Sequence, residues 1–529
     1  RQPWSPDGRT IAFTSKRDGP WELYTMDVVT RQITRLTTSQ DFVGAPTWSP
    51  DGTFLAYEGY NQETQNLDIY IVAVDRSQGP IQLTYNPGPD IEPAWMPDTG
   101  GSSGGRLIAY TSIRNGRQDI YVIDLDNPDE GAALNLTNTA DFLENHPAWS
   151  PDGRRITYSA VVNGIESIYI RSLATPSDVQ IVGRGSMPVW NPVDGSSIFY
   201  SQRLPGKQSA ISGGLPGSFG SSSAENLVNG IVADLDWTPA EPSITAVVAD
   251  YPPVPPVVDI EPDADGLYSL AVLQSVEAPE PYLNARVYPA FNALRFKMLD
   301  VAGLDFLSTL EDAFWDLSRS PELGQQRESW HYAGRAFAIP RGLVSQGNPT
   351  PIVVVREEGE IGTYWRVYVR VAEQAQGGAL GEPLRQTPWD FDARTSGDPE
   401  AFEQGGKLMD TVPSGYYVDF TQLAADHGWE RLPADRRWRQ NFPDVLFWVF
   451  IKRDNLDWET AMQELYTDEQ LRRFLNDEPV ETTPLPTTSP EEGTTEAPAE
   501  TIEATSTPAP TETLPFRTST PIPPDILER

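Results

Sequence analysis

Residues 4–37, WSPDGRTIAFTSKRDGPWELYTMDVVTRQITRLT, are written again with variations down the first half of the chain. WSPDG returns at Trp48 and Trp149, and weakens to WMPDTG at Trp95, WNPVDG at Trp190 and WTPA at Trp237. These tryptophans stand about 41 to about 54 residues apart, which is the length of a four-stranded propeller blade and longer than most helical repeats. Pro-Asp-Gly after the tryptophan is a reversal, because proline presets φ and glycine accepts a positive one. Short apolar runs follow at Ile11–Phe13, Phe54–Tyr57, Leu107–Tyr110, Ile156–Tyr158 and Ile198–Tyr200, of the kind buried on both faces as inner strands. A second turn near Asp18-Gly19 or Asn115-Gly116 leads to a third strand at Leu23-Tyr24, Ile69-Tyr70, Ile120-Tyr121 or Ile168-Tyr169. A fourth strand ends in Leu-Thr at Thr37, Thr84 and Thr137. One such sheet cannot bury its faces alone, so successive blades must stack around an axis.

The recurring set W-SPDG, IAF-x-S, IY-x-x-D and LT resembles the TolB family of β-propellers over about residues 1 to 250. The resemblance implies a propeller of about six blades, outside the bacterial cytoplasm, that binds other proteins or envelope components. It implies no enzyme. Taken singly, each WSPDG copy is a packing and turn signature, and function is expected in the blade-top loops and the channel. His146, at the start of a blade, is expected to pack or hydrogen-bond at the channel mouth. The fifth repeat frays: Gly213 to Ser223 is too rich in glycine and serine for strand interior, and Trp237 to Tyr251 supplies about half a blade. The sequence opens at Arg1 on the edge of a blade without a methionine, so an export signal and further strands are expected upstream.

Composition narrows the function classes. There is no cysteine among the 529 residues, which removes disulfides, thiol chemistry and cysteine-ligated zinc. A formal net charge of −36 argues against nucleic acid, whose phosphates need Lys and Arg, and against anionic lipid. No apolar run approaches the ~20 residues of a bilayer span.

Pro252-Pro253-Val254-Pro255-Pro256 reads as a stiff polyproline II spacer, and beyond it the repeats stop. The expected division is a propeller over 1–250, a Pro-rich linker over 251–279, an α+β domain over 280–475 and a disordered tail over 476–529. Within the third part, Asn284 to Ala302 has helical spacing and Leu304 to Leu317 continues it. Ile352 to Val355 and Tyr364 to Val371 read as a hairpin, Phe420 to His427 as a helix stopped by Gly428, Leu446 to Ile451 as a strand, and Trp458 to Tyr466 as a helix.

The run Ser329-Trp330-His331-Tyr332-Ala333-Gly334-Arg335-Ala336-Phe337-Ala338 looks like the SxHxxGxAxD motif of VanY-like D-alanyl-D-alanine carboxypeptidases, a zinc peptidase family. In that family the His and the final Asp bind zinc, and a second motif, ExWH, supplies a general base and a third ligand. Here His331, Gly334 and Ala336 match, Ala338 stands at the Asp position, and Leu446-Phe447-Trp448-Val449 is the best second match, with Leu446 and Val449 apolar at both functional positions. A catalytic zinc needs about three protein ligands and an activated water. One of three survives, so the resemblance implies a vestigial motif at His331, Ala338, Leu446 and Val449, with no metal and no cofactor. Trp330, Tyr332 and Arg335, beside the old ligand position, are candidates for a cleft that still receives cell-wall peptide or glycan. Other aromatic residues, Trp365, Tyr416, Tyr417, Trp429, Trp438 and Trp448, are expected mostly to fill the core. The second histidine of this domain, His427, is accounted for by a helix C-terminus.

From about Thr482 the chain is Pro, Thr, Ser, Glu and Ala with scarcely any large apolar residue, a composition that cannot bury enough surface to fold. Two readings of function follow. The first is an exported binding or scaffolding protein with a catalytically degenerate peptidase-like domain, whose partners are other proteins or cell-wall peptide. The second is an active zinc D-alanyl-D-alanine carboxypeptidase targeted by its propeller, with His331 as a ligand. A propeller hydrolase of the prolyl oligopeptidase kind is set aside, since no G-x-S-x-G elbow is present and Gly214-Leu215-Pro216-Gly217-Ser218-Phe219-Gly220 does not replace it.

Overall fold

Each WSPDG copy closes on itself through the same bonds. Ser5, Ser49 and Ser150 donate their hydroxyls to Asp7, Asp51 and Asp152 over 2.6, 2.6 and 2.5 Å. The same hydroxyls accept the backbone N–H of Thr10, Phe54 and Arg155 over 2.9, 2.9 and 3.0 Å. Gly8, Gly52 and Gly153 complete the reversals at φ of 68, 73 and 65°, a region where a Cβ is unwelcome. The Leu-Thr ending is also a bond: Thr37, Thr84 and Thr137 each accept, over 2.9 Å, the N–H of Leu23, Ile69 and Ile120 on the strand beside them. A motif that satisfies its own polar groups folds the same way wherever it recurs.

In this computed structural model the described residues are 3–237 and 261–480, apart from 40, 101–103, 141, 163–164, 205–207, 218–221, 230–231, 233–234, 321–327, 360–361 and 477. The expected half-blade after Trp237, the proline spacer and nearly all of the tail lie outside them. Among the described residues there are five antiparallel blades. The first keeps Trp4 as the stub of its inner strand, bridged to Ile11, before the strands Thr10–Ser15, Glu22–Asp27 and Ile33–Arg35. The others open on the inner strands Val43–Trp48, Asp90–Trp95, Leu143–Trp149 and Ser186–Trp190. All four inner strands carry a bulge at the same place, where Ala45, Glu92, His146 and Met187 take φ of 48, 56, 55 and 56° just before a proline.

Blades are tied to one another at the axis. The indole N–H groups of Trp48, Trp149 and Trp190 donate to the carbonyls of Pro3, Ala94 and Ala148, the residue before the preceding blade's tryptophan, over 3.0, 2.9 and 3.2 Å. Trp95 departs from the rule and donates to Gly105 in its own lengthened turn over 2.7 Å. After the fifth blade the chain returns to the axis, where Asp236 accepts the Trp4 N–H over 3.3 Å and Trp237 meets Phe199 edge-on at 4.8 Å.

The fifth blade corrects the sequence reading. It has four strands, and Gly213 and Gly214 lie inside one of them, Gln208–Gly214, followed by Ser222–Asn229. The glycines are there for close approach: a Cβ on Gly214 would stand 2.2 Å from Cγ1 of Val182 on the fourth blade.

The second unit begins before residue 280, since Leu270–Val272 pairs with Tyr282–Asn284. The helix Tyr288–Ala302 buries Phe291, Leu294, Met298 and Ala302, and Gly303 at φ 71° ends it. Leu304 to Leu317 is therefore not a continuation. Apart from one 3-10 turn at Phe306–Ser308 it runs irregularly, making single bridges from Thr309 to Glu277 and from Asp312 to Ala338. The hairpin Ile352–Gly359 and Gly362–Arg370 and the helix Phe420–Asp426 stand where expected. The strand expected from Leu446 is only Val449–Ile451, because Leu446 sits at φ 60°, outside strand geometry. Two short helices, Trp458–Gln463 and Asp468–Leu475, close the unit. Its core is aromatic, with Trp365, Tyr416, Tyr417, Trp429, Trp438 and Trp448 all buried.

That core reaches into the propeller. Phe42, Leu67 and Ile91, near the ends of blade strands, are buried in the same apolar cluster as Phe291, Trp365 and Tyr416. Tyr416 accepts the Phe42 N–H over 3.3 Å and lies 5.0 Å from the Tyr60 ring. Arg385 donates twice, over 2.8 and 2.7 Å, to Oε1 of the fully buried Glu58. The second unit thus covers the face from which the inner strands start, and the WSPDG turns lie on the other face.

Candidate functional site

On the turn face the blades leave an axial cavity of about 370 Å³. Its wall is the motif itself: Trp4, Trp48, Trp95, Trp149, Trp190 and Trp237, with Pro6, Pro50, Pro97, Pro151 and Pro192 beside them. Indole bonds to the neighbouring blade hold Trp48, Trp149 and Trp190 in place, so these three rings are positioned before anything enters. The charged side chains that line it are Asp98 and Asp236. The WSPDG copies, read singly as packing and turn residues, also build this concavity. Their repetition was the signal, because one residue type at one register in every blade must form a ring about the axis.

A polar chain links the second, third and fourth blades. Glu58 Oε2 accepts the Glu92 N–H over 3.0 Å, while Glu92 accepts the His146 N–H over 2.7 Å and faces its Nε2 at 3.3 Å. His146 Nδ1 meets the Ser159 hydroxyl at 3.1 Å. Two of the four bulge residues, Glu92 and His146, thus place polar groups toward one another, and Arg385 of the second unit joins the chain at Glu58.

In the second unit the two motif strands come together. Ala338 lies opposite Val449 in the antiparallel pair Ala336–Ala338 and Val449–Ile451. His331 is buried nearby, stacked 4.8 Å from Trp315, with Nδ1 2.7 Å from the Ala313 carbonyl. A carbonyl can only accept, so Nδ1 carries the proton, and burial holds the imidazole neutral by pushing its pKa down. A methyl at 338 and an isopropyl at 449 offer no lone pair, and Leu446 packs against the core. These side chains do not fit zinc. Among the described residues no three of His, Asp and Glu are grouped so as to hold a metal ion.

The cleft candidates part company. Tyr332 and Arg335, two of the cleft candidates, are fully buried. Tyr332 donates to the Arg319 carbonyl over 2.7 Å. Arg335 forks onto Glu464 over 2.7 and 3.0 Å and reaches Asp454 over 2.9 Å, so it is a structural cation sunk between strands and the closing helices. Trp330 is half-buried where two apolar cores meet, under the Arg453 guanidinium at 5.8 Å. His427 caps the helix Phe420–Asp426 and meets the Leu423 carbonyl at 2.8 Å. Asp419 caps the same helix and is held by Arg366 at 2.6 Å.

Comparison with known proteins bears on the first unit. Residues 2–212 match the family described as the TolB beta propeller domain. The Tol-Pal system protein TolB of Francisella tularensis subsp. mediasiatica is 28% identical over 152 residues, which is 28% of this chain and 32% of that protein. The protein TolB homolog of Chlorobaculum tepidum is 33% identical over 119 residues, 22% of this chain and 25% of its own length. The chain thus spans about a quarter to a third of the length of these relatives. The crystal structure of TolB from Acinetobacter baumannii aligns with a TM-score of 0.34 at 23% identity, over 42% of this chain and 54% of that one. On the family match and the repeats that underlie it, the N-terminal unit is a TolB-like β-propeller domain.

Proposed function

We propose that this protein is an extracytoplasmic binding or scaffolding protein, in which a TolB-like propeller holds partners and the second unit is a carboxypeptidase-like scaffold without catalysis. The observation that carries the reading is the division of the propeller's faces. One is covered by the second unit through a shared core and the Arg385–Glu58 pair, and the other presents a preformed aromatic cavity. A concave surface backed by a second packed unit suits recognition. The relatives' name, Tol-Pal system protein TolB, supports an envelope setting. The −36 charge leaves proteins and cell-wall peptide or glycan as partners, and among the described residues no helix is long and apolar enough to cross a membrane.

The test is crosslinking of the full chain in its own cells beside co-sedimentation with purified peptidoglycan. Reproducible crosslinks to envelope proteins, or saturable sedimentation, support the reading, and neither result would remove it. The competing reading, a zinc D-alanyl-D-alanine carboxypeptidase, would need ligands other than Ala338 and Val449, the side chains that the two paired motif strands bring together. Stoichiometric zinc in the purified chain together with release of terminal D-alanine from a muropeptide would establish it instead.

A further inference from the structure

We infer that the axial cavity receives a basic side chain, the guanidinium of an arginine or the ammonium of a lysine, carried by a partner polypeptide. The inference rests on the binding-protein reading and adds the chemistry of the contact. Three features of the cavity select a cation. Six tryptophans line it, of which Trp4 and Trp237 are part-exposed while Trp48, Trp95, Trp149 and Trp190 are buried in the blades, and an indole with an open face attracts cations. The indole N–H groups of Trp48, Trp95, Trp149 and Trp190 are already spent on backbone carbonyls, so four of the six lining indoles have no donor left for an anion. Asp98 and Asp236 are the charged side chains on its lining, with no Lys, Arg or His among the described residues there.

The molecule already shows the contact in miniature. Arg155 lays its guanidinium 4.7 Å from the Trp190 ring, from outside the lining. A cavity of about 370 Å³ takes such a head group together with part of the chain that bears it. Bulk electrostatics act in the same sense, since a net charge of −36 steers basic partners in and acidic ones away. The covered face offers no equivalent, because Arg385 already neutralises Glu58 there.

The experiment is calorimetric titration of the full chain with a blocked arginine-containing pentapeptide, its citrulline twin, which keeps the shape and loses the charge, and a lysine version. The arginine and lysine peptides should bind at least about tenfold more tightly than the citrulline one, as expected for a partly desolvated cation on aromatic faces. Asp98→Asn, at an exposed position, should weaken the basic peptides several-fold with unchanged thermal melting. Trp237→Ala, at a residue 37% exposed, should weaken them as well, with a lower melting temperature because its contact with Phe199 is lost. Equal binding of arginine and citrulline peptides, or binding untouched by both variants, overturns the inference. If envelope crosslinks form while no basic peptide binds, this inference fails and the proposed function stands; if neither occurs, both fall.

Discussion

Glu144 shows how much a single buried carboxyl can reveal. It lies on the fourth blade's inner strand with no exposure, accepts the Thr139 hydroxyl over 2.6 Å at Oε1, and has no hydrogen-bond partner at Oε2 among the described residues. Burial pushes its pKa up to about 8, against the pull of the Thr139 bond. Burial likewise pushes Asp68 on the second blade up to about 7. A carboxyl whose folded pKa is raised contributes stability that is present below its ordinary value, near ~4.3, and lost as pH rises through the folded value. The propeller should therefore melt lower at pH 8 than at pH 5. Glu144→Gln should raise the melting temperature at pH 8 and flatten that slope, read by circular dichroism; an unchanged slope would refute the assignment. Glu357 in the second unit works the other way. Burial raises its pKa, but the Arg366 and Arg431 guanidinium groups beside it outweigh that and bring it to about 2. Its contribution is present above the ordinary carboxylate pKa and is lost only as pH falls toward that lower value. Glu464 is the residue most exposed to mutation, because it satisfies Arg335, Arg286 and Asn284 together. Glu464→Ala leaves the Arg335 charge buried without its main partner and should cost about 3–5 kcal/mol in denaturant unfolding.

At the scale of strands and turns, Gly214 separates two kinds of glycine. A side chain there collides with Val182 of the preceding blade, whereas Gly79 has open space around it. Gly214→Val should destabilise by about 1–3 kcal/mol through overpacking, while Gly79→Ala should be near neutral, both read from urea midpoints. The same contrast explains what was legible in the sequence. The Ser-Asp, Ser–N–H and Thr–N–H bonds that build a blade span about two to seventeen residues, so the motif carries its own structure and recurs visibly. The glycine-rich strand of the fifth blade was misread because its reason lies on another blade, invisible to local propensity. In the second unit the decisive contacts are long-range too. Leu304 to Leu317 has a helical pattern, yet the left-handed stop at Gly303 and the bridge from Asp312 to Ala338 decide its path. Arg335 could not be told from a ligand-binding cation, since Glu464, its partner, is 129 residues away.

Across the whole molecule, the joint between the two units is the feature that neither half announces. Glu58 belongs to a propeller strand and Arg385 to the second unit, 327 residues apart, and the pair is reinforced by Phe42 beneath the Arg385 guanidinium at 4.9 Å. An ion pair sunk at a seam is weak evidence of net stability, but it is costly to break from one side. Glu58 is fully buried, so Arg385→Ala leaves its charge without water or a cation. Arg385 itself is 28% exposed, which lets solvent relieve part of that cost. Tyr416→Phe is milder: it removes the acceptor for the Phe42 N–H while keeping the ring contact with Tyr60. Because Phe42, Leu67 and Ile91 share a core with the second unit, the wild-type chain should unfold in one cooperative step. Arg385→Ala should split that step into two, the propeller and the second unit melting separately, and should speed proteolysis between them. Arg385→Ala combined with Glu58→Leu removes both charges and should restore a single transition, since an apolar pair fills a buried seam at little net cost. A wild-type chain that already unfolds in two independent steps would show that the seam does not couple the units.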